Sequence, residues 1–186
     1  MKELSLNILD ITQNSLTAGA TLVGISLIED QAGLLTLTIS DNGRGMSEEI
    51  VKGVTNPFYT TRTTRKVGLG LPLLKLAANQ AGGDLEIVSK VKDEGTPDHG
   101  TTVTATFNTR SIDFTPIGDM VSTLCTLIQG NDKVDFEYIY KTPAGQVTLS
   151  TKEMRQMLGE DIPLSSFEVL AWVKEYLAEQ YDALKK

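Results

Sequence analysis

Residues 56–71 set four threonines (Thr60, Thr61, Thr63, Thr64), two arginines (Arg62, Arg65) and Lys66 ahead of Gly68-Leu69-Gly70, which opens a helix. Hydroxyls, cations and helix N-terminal amides are together what a phosphate chain requires. A disordered basic loop explains the cations but not the adjoining Gly-Leu-Gly. No Gly-Lys-Ser/Thr occurs, so the stretch is not a P-loop. Asp41-Asn42-Gly43-Arg44-Gly45-Met46 ends an apolar strand pattern. An Asp at a strand end can accept a hydrogen bond from an exocyclic amine, and the two glycines allow close backbone approach or positive φ. Alone, the run also reads as a plain Asx-Gly turn. Asp10 and Asn14 stand four apart at helical spacing and project from one face. By themselves they describe an ordinary solvated face. Gly100-Thr101-Thr102-Val103, alone, is a strand beginning after a glycine.

The elements that must position these residues follow from periodicity. Leu4, Ile8, Ile11 and Ser15 recur at helical spacing, Leu9 and Leu16 widen the apolar face, and Gly19 stops it, so residues 2–18 form a helix. Residues 22–29 alternate and 34–40 are β-branched and apolar. With Gln31-Ala32-Gly33 between them, they predict an antiparallel hairpin. Ser47 caps a short helix whose first turn carries Glu48 and Glu49, and Asn56-Pro57 ends it. A helix over about 71–81 closes at Gly82-Gly83. Strands over 84–90 and 101–108 flank a charged turn at 92–100.

Beyond Arg110 the pattern changes. Residues 119–129 read as helix, 135–141 and 146–150 as a hairpin about Pro143-Ala144-Gly145, and Thr151 as the cap of a further helix. The last helix, 168–184, carries Phe167, Leu170, Val173 and Leu177 on one face. Trp172, Tyr176 and Leu177 are expected to bury it against its own unit. Asp132, Asp135 and Glu137 read as solvated acids rather than a cation site. The predicted class is α+β: a two-layer α/β sandwich over residues 1–110 with a small C-terminal α/β unit over 111–186.

Seventeen Lys and Arg against 24 Asp and Glu leave a net charge of -7 over 186 residues. That argues against sequence-independent nucleic-acid binding, although residues 62–66 run against the acidic average. One cysteine, Cys125, excludes an intramolecular disulfide and suits a reducing compartment. With a single histidine, His99, a zinc site within one chain is excluded too. No apolar run approaches the roughly 20 residues that span a bilayer, and no charged-then-apolar leader opens the sequence. The expected location is cytoplasmic, with no membrane partner.

Taken in order, the four motifs resemble the GHKL, or Bergerat-fold, ATPase superfamily. That group holds histidine-kinase catalytic domains, anti-sigma-factor serine kinases, DNA mismatch-repair ATPases, type II topoisomerases and heat-shock chaperones. Residues 10–21 look like its N box, in wording close to the mismatch-repair version. Residues 41–46 look like the G1 box. Pro57-Phe58-Tyr59-Thr60-Thr61 with Gly68-Leu69-Gly70-Leu71 is similar to the F and G2 boxes of histidine kinases, and Gly100-Thr101-Thr102 fits the closing box. The resemblance covers about residues 2–108. It implies the Bergerat ATP-binding fold with ATP and Mg²⁺ as cofactors.

The resemblance also assigns roles. Asn14 would ligate Mg²⁺, Asp41 would accept the adenine amino group, and Thr101 would support it. Gly43, Gly45 and Met46 would lie against base and ribose. Phe58 belongs to the F box. Residues 60–67, including Arg62, Thr63, Thr64, Arg65, Lys66 and Val67, would form the ATP lid. Gly68, Leu69, Gly70 and Leu71 would bring amides to the phosphates. Hydrolytic members place a Glu four residues before the N-box Asn. Asp10 stands there, one methylene shorter, so hydrolysis is expected to be slow. No phosphoacceptor hairpin is expected ahead of the N box, the lid is short as in kinases, and His99 reads as a surface residue. The leading expectation is a kinase-like catalytic module that phosphorylates or controls a separate protein partner. The alternatives are a slow ATPase acting as a nucleotide-gated switch, with a homodimer among its forms, and a non-catalytic anti-sigma-type binder.

Overall fold

The computed structural model describes residues 3–55, 69–93, 97–159 and 161–185. Helix α1 (Leu4–Thr17) leads into the hairpin of β1 (Leu22–Glu29) and β2 (Leu34–Asp41). Then come α2 (Glu48–Gly53), α3 (Gly70–Gln80), β3 (Leu85–Lys90) and β4 (Gly100–Asn108). The remainder supplies α4 (Met120–Gly130), β5 (Asp135–Thr142), β6 (Gly145–Ser150), α5 (Thr151–Leu158) and α6 (Phe167–Ala183).

The strands form one six-stranded sheet in the order β3-β4-β2-β1-β5-β6. All neighbours are antiparallel except β1 and β5. Strand alternation decides which face is covered. Val23, Ile25 and Leu27 of β1, Leu35, Leu37 and Ile39 of β2, and Val103, Ala105 and Phe107 of β4 all point one way and are buried. Leu4, Ile8 and Ile11 of α1, Leu74 and Ala78 of α3, Leu124 and Leu127 of α4, and Val173 and Leu177 of α6 join them in one core. The opposite face carries Thr36, Thr38, Ser40, Thr102, Thr104 and Thr106, all half-buried. The fold is therefore α+β, in two layers, as the motif order implies.

Residues 111–186 continue this sheet. Strand β5 lies beside β1 with Val23 opposite Phe136 and Ile25 opposite Tyr138, so apolar residues on both strands meet on the helix-covered face. The connection after β4 also returns to α1. The Leu4 and Ser5 amides, in its first turn, donate to the Pro116 and Ile117 carbonyls. The Glu3 carboxylate, at the N-cap, accepts the Ser5 hydroxyl but caps no amide, so the chain's own later segment satisfies those amides.

Two local expectations are corrected. Ser150, not Thr151, caps α5: its hydroxyl accepts from the Glu153 amide. Thr151 is fully buried and its hydroxyl instead accepts the Phe136 amide at 2.7 Å. In α6 the buried stripe is Val169, Val173 and Leu177, while Phe167 is 82% exposed. Phe167 is the first helical residue, ahead of the buried stripe. Trp172 stacks on Tyr176 yet stays 47% exposed. Gln180, a turn further on, accepts from the Thr148 amide and donates to its carbonyl, which covers the free edge of β6.

Candidate functional site

Asp41 ends β2 beneath the last turn of α1. Three donors from three elements hold its carboxylate. Ser15 of α1 donates its hydroxyl to Oδ2 at 2.7 Å. The Gly43 amide donates to Oδ1 at 2.8 Å, and the Thr101 amide at the start of β4 reaches the same oxygen at 3.3 Å. A carboxylate offers about four acceptor positions when ionised, so these donors among the described residues leave about one for an incoming N–H donor. Ser89 of β3 extends the network: its hydroxyl lies 2.8 Å from the Thr101 hydroxyl and accepts the Met46 amide.

The loop after Asp41 is pinned at nearly every residue. The Asn42 side-chain oxygen accepts the Thr21 and Leu22 amides. Arg44 donates its amide to the Ala18 carbonyl and accepts from the Lys92 amide. The two glycines serve close backbone approach, and here the approach is to the chain itself. Gly45 has φ +69, and a Cβ there would lie 1.9 Å from the Lys90 carbonyl oxygen. A Cβ at Gly43 would lie 2.9 Å from that of Ala18.

His99 departs from its expected place on the surface. It is half-buried, and its Nδ1 lies 2.7 Å from the Gly43 carbonyl oxygen. The reason is the tight start of β4, where Gly100, at φ +126, presses on the Asp41 carbonyl and carries His99 over the loop.

The second part of the site joins α1 to α3. Asp10 and Asn14 lie exposed on α1, as their spacing predicts. Gly70, the first residue of α3, sits against Asp10, with its Cβ position 3.4 Å from the Asp10 Cβ and 3.8 Å from Ile11 Cγ1. Leu69, at the N-cap, has no side chain able to cap the helix, and the first turn carries no acid. The start of α3 thus stands beside Asp10 on α1, and uncapped helix N-terminal amides suit an anion. Leu71 is buried in the core, so only its backbone can face a ligand. Phe58, Thr60, Thr61, Arg62, Thr63, Thr64, Arg65, Lys66, Val67 and Gly68 lie outside the described residues.

Sequence spacing missed Ser15, Ser89 and His99 as parts of the site. Ser15 falls on the apolar stripe of α1 and reads there as a small core residue. Ser89 and His99 come from distant chain segments, so only strand pairing brings them near. Among the described residues no group of three or more His, Cys, Asp or Glu side chains could cage a metal. The amide oxygen of Asn14 suits Mg²⁺, which would complete its shell with phosphate oxygens and water. Asp135 is paired with Arg155, Glu137 accepts from Ser150, and Asp132 accepts the Ser165 amide, so those acids have structural partners.

The family model for histidine kinase-, DNA gyrase B- and HSP90-like ATPases matches residues 1–111. The chain belongs to this ATPase family. Over 60 residues the chain is 45% identical to the C4-dicarboxylate transport sensor protein DctB of Pseudomonas aeruginosa. That match covers 32% of this chain and 10% of DctB, so the chain corresponds to a small part of that sensor. Among solved structures, the N-terminal domain of a DNA repair protein superposes at TM-score 0.57 with 17% identity, over 86% of this chain and 58% of the other. The ADP-bound ATPase domain of Aquifex aeolicus MutL superposes at TM-score 0.53 with 13% identity, over 85% and 69%. Identities this low establish the shared fold. The spans exceed the family match, so the likeness in fold extends beyond residue 111. No helix among the described residues is long and apolar enough to cross a membrane.

Proposed function

We propose that this member of the family binds Mg-ATP between α1, the residue 41–46 loop and the N-terminus of α3, and works as a kinase-like module that controls a protein partner. The observation that carries the nucleotide reading is Asp41: a carboxylate oriented by three donors among the described residues, which leave about one acceptor position for a purine amino group. Asn14 would hold Mg²⁺ and the amides opening α3 would meet the phosphates. The metal's contribution when bound is to neutralise phosphate charge and set its geometry. Phosphoryl transfer then rests mainly on positioning and charge neutralisation, which demands little covalent chemistry from the protein. The local identity to a sensor protein supports control of a partner.

One observation favours a second reading, slow hydrolysis. Asp10 is an exposed carboxylate set against Gly70, at the helix end where a terminal phosphate would sit. There it would take a proton from an attacking water.

Two measurements decide among these. Binding of a fluorescent ATP analogue by the wild type and by Asp41→Ala tests the site, with loss expected in the variant. Unchanged binding in Asp41→Ala would remove the reading. Phosphate release from Mg-ATP, blanked with Asn14→Ala, then separates the chemistries. Steady release that Asp10→Asn abolishes selects hydrolysis, whereas binding without release leaves transfer to a partner or non-catalytic binding, which labelling of a candidate partner from γ-labelled ATP separates.

A further inference from the structure

Three consecutive residues grip three others. His99 bonds to Gly43, Gly100 presses against Asp41 and Asn42, and the Thr101 amide donates to Asp41. The Gly43 carbonyl oxygen can only accept, so Nδ1 of His99 carries the proton and the tautomer is fixed. That carbonyl belongs to the same peptide plane as the Arg44 amide, which donates to the Ala18 carbonyl at 3.0 Å. The plane is therefore clamped on both sides, by His99 and by the end of α1. On its other side Gly43 donates its own amide to Asp41 Oδ1.

His99 is the only histidine in the chain, and pairing of β3 with β4 does not use it. Its bond acts on the loop alone. Without it, only the Arg44 bond to Ala18 holds that plane, and the torsions of Gly43 are freer. The Gly43 amide, in the adjoining Asn42–Gly43 plane, then holds Asp41 less firmly, and the carboxylate is less fixed in rotation.

We infer that His99 is a positioning residue for purine recognition, fixing the Asp41 carboxylate through Gly43 and with it the preference for a 6-amino purine. The inference rests on the nucleotide reading above. Binding of the fluorescent ATP analogue, competed with ATP and with GTP, tests it in the full chain and in three variants. His99→Ala and His99→Gln should weaken ATP about three- to tenfold, the net worth of one hydrogen bond, and GTP by less, so the ATP/GTP preference falls. His99→Asn should stay within about twofold of wild type, because its amide nitrogen can occupy the place of Nδ1. An unchanged ATP/GTP preference in His99→Ala and His99→Gln overturns the inference. An equal loss in all three variants does the same, since it would mark a merely structural role. Wild-type protein that binds no adenine nucleotide overturns the nucleotide reading and this inference together. Binding that Asp41→Ala removes and His99→Ala leaves alone overturns only the inference.

Discussion

At the scale of single residues, Asp41 shows how a fixed acceptor is built. Its three donors come from α1, from its own loop and from β4, so rotation of the carboxylate breaks bonds to separate elements. Glycines make that convergence sterically feasible. A Cβ at Gly100 would lie 1.9 Å from the Asp41 carbonyl oxygen, at a φ of +126. Gly82 also has positive φ, +75, but nothing lies within 4 Å of its Cβ position. Gly82→Ala should therefore cost only about 1 kcal/mol, the backbone penalty. Gly100→Ala should cost about 3 kcal/mol or more and weaken nucleotide binding as well. Urea unfolding of the two variants, side by side with nucleotide titration, checks both. Equal losses would mean that the close approach is not what requires Gly100.

At the scale of elements, two buried threonines make opposite predictions. Thr151 accepts the buried Phe136 amide and also reaches Asp135, so it ties the start of α5 to the start of β5. Thr151→Val keeps the shape and leaves a buried N–H unpaired, an expected loss of about 1–3 kcal/mol. Thr12 of α1 is fully buried, and its hydroxyl has no hydrogen-bond partner among the described residues. Thr12→Val removes an unpaired hydroxyl from the core and should stabilise the fold by about 1 kcal/mol. Denaturant midpoints at constant m-value report both shifts. A destabilised Thr12→Val would show that the hydroxyl has a role in the folded protein.

At the scale of the molecule, the parallel pairing of β1 with β5 makes the two parts of the chain interdependent. Removing residues 111–186 would strip β1 of its neighbour and take Leu124, Leu127 and Val173 from the shared core. The fragment 1–110 should then lack cooperative unfolding by circular dichroism. A cooperative, monomeric fragment would refute that dependence. The last helix contributes an alkaline limit. Burial pushes the Tyr138 phenol well above its ordinary value, and its bonded partner Tyr181 is pushed up to about 12 by burial. Raised values mean that the unfolded chain loses these protons first, from about pH 10. The pair's contribution is therefore full below pH 10 and is lost as pH rises through the folded values. Urea midpoints between pH 9 and pH 12 should fall in the wild type, and less steeply in Tyr138→Phe/Tyr181→Phe.

Local chemistry is readable from the chain alone wherever neighbours in sequence are neighbours in space. The stripe Leu4, Ile8, Ile11 fixes α1 and its buried side, and strand alternation fixes the covered face of β1, β2 and β4. The ordered motifs carry the family and mark Asp10, Asn14, Asp41 and Thr101. Tertiary structure decided what depends on chain segments far apart. It made Ser15 and His99 part of the site, because a serine on an apolar stripe and a lone histidine in a turn have no distinctive spacing. It moved the α5 cap from Thr151 to Ser150, because β5 needs the threonine hydroxyl. It also joined the strands beyond residue 110 to the same sheet. Strand pairing is a contact between distant backbones, and side-chain periodicity fixes the covered face of a strand without naming its neighbour.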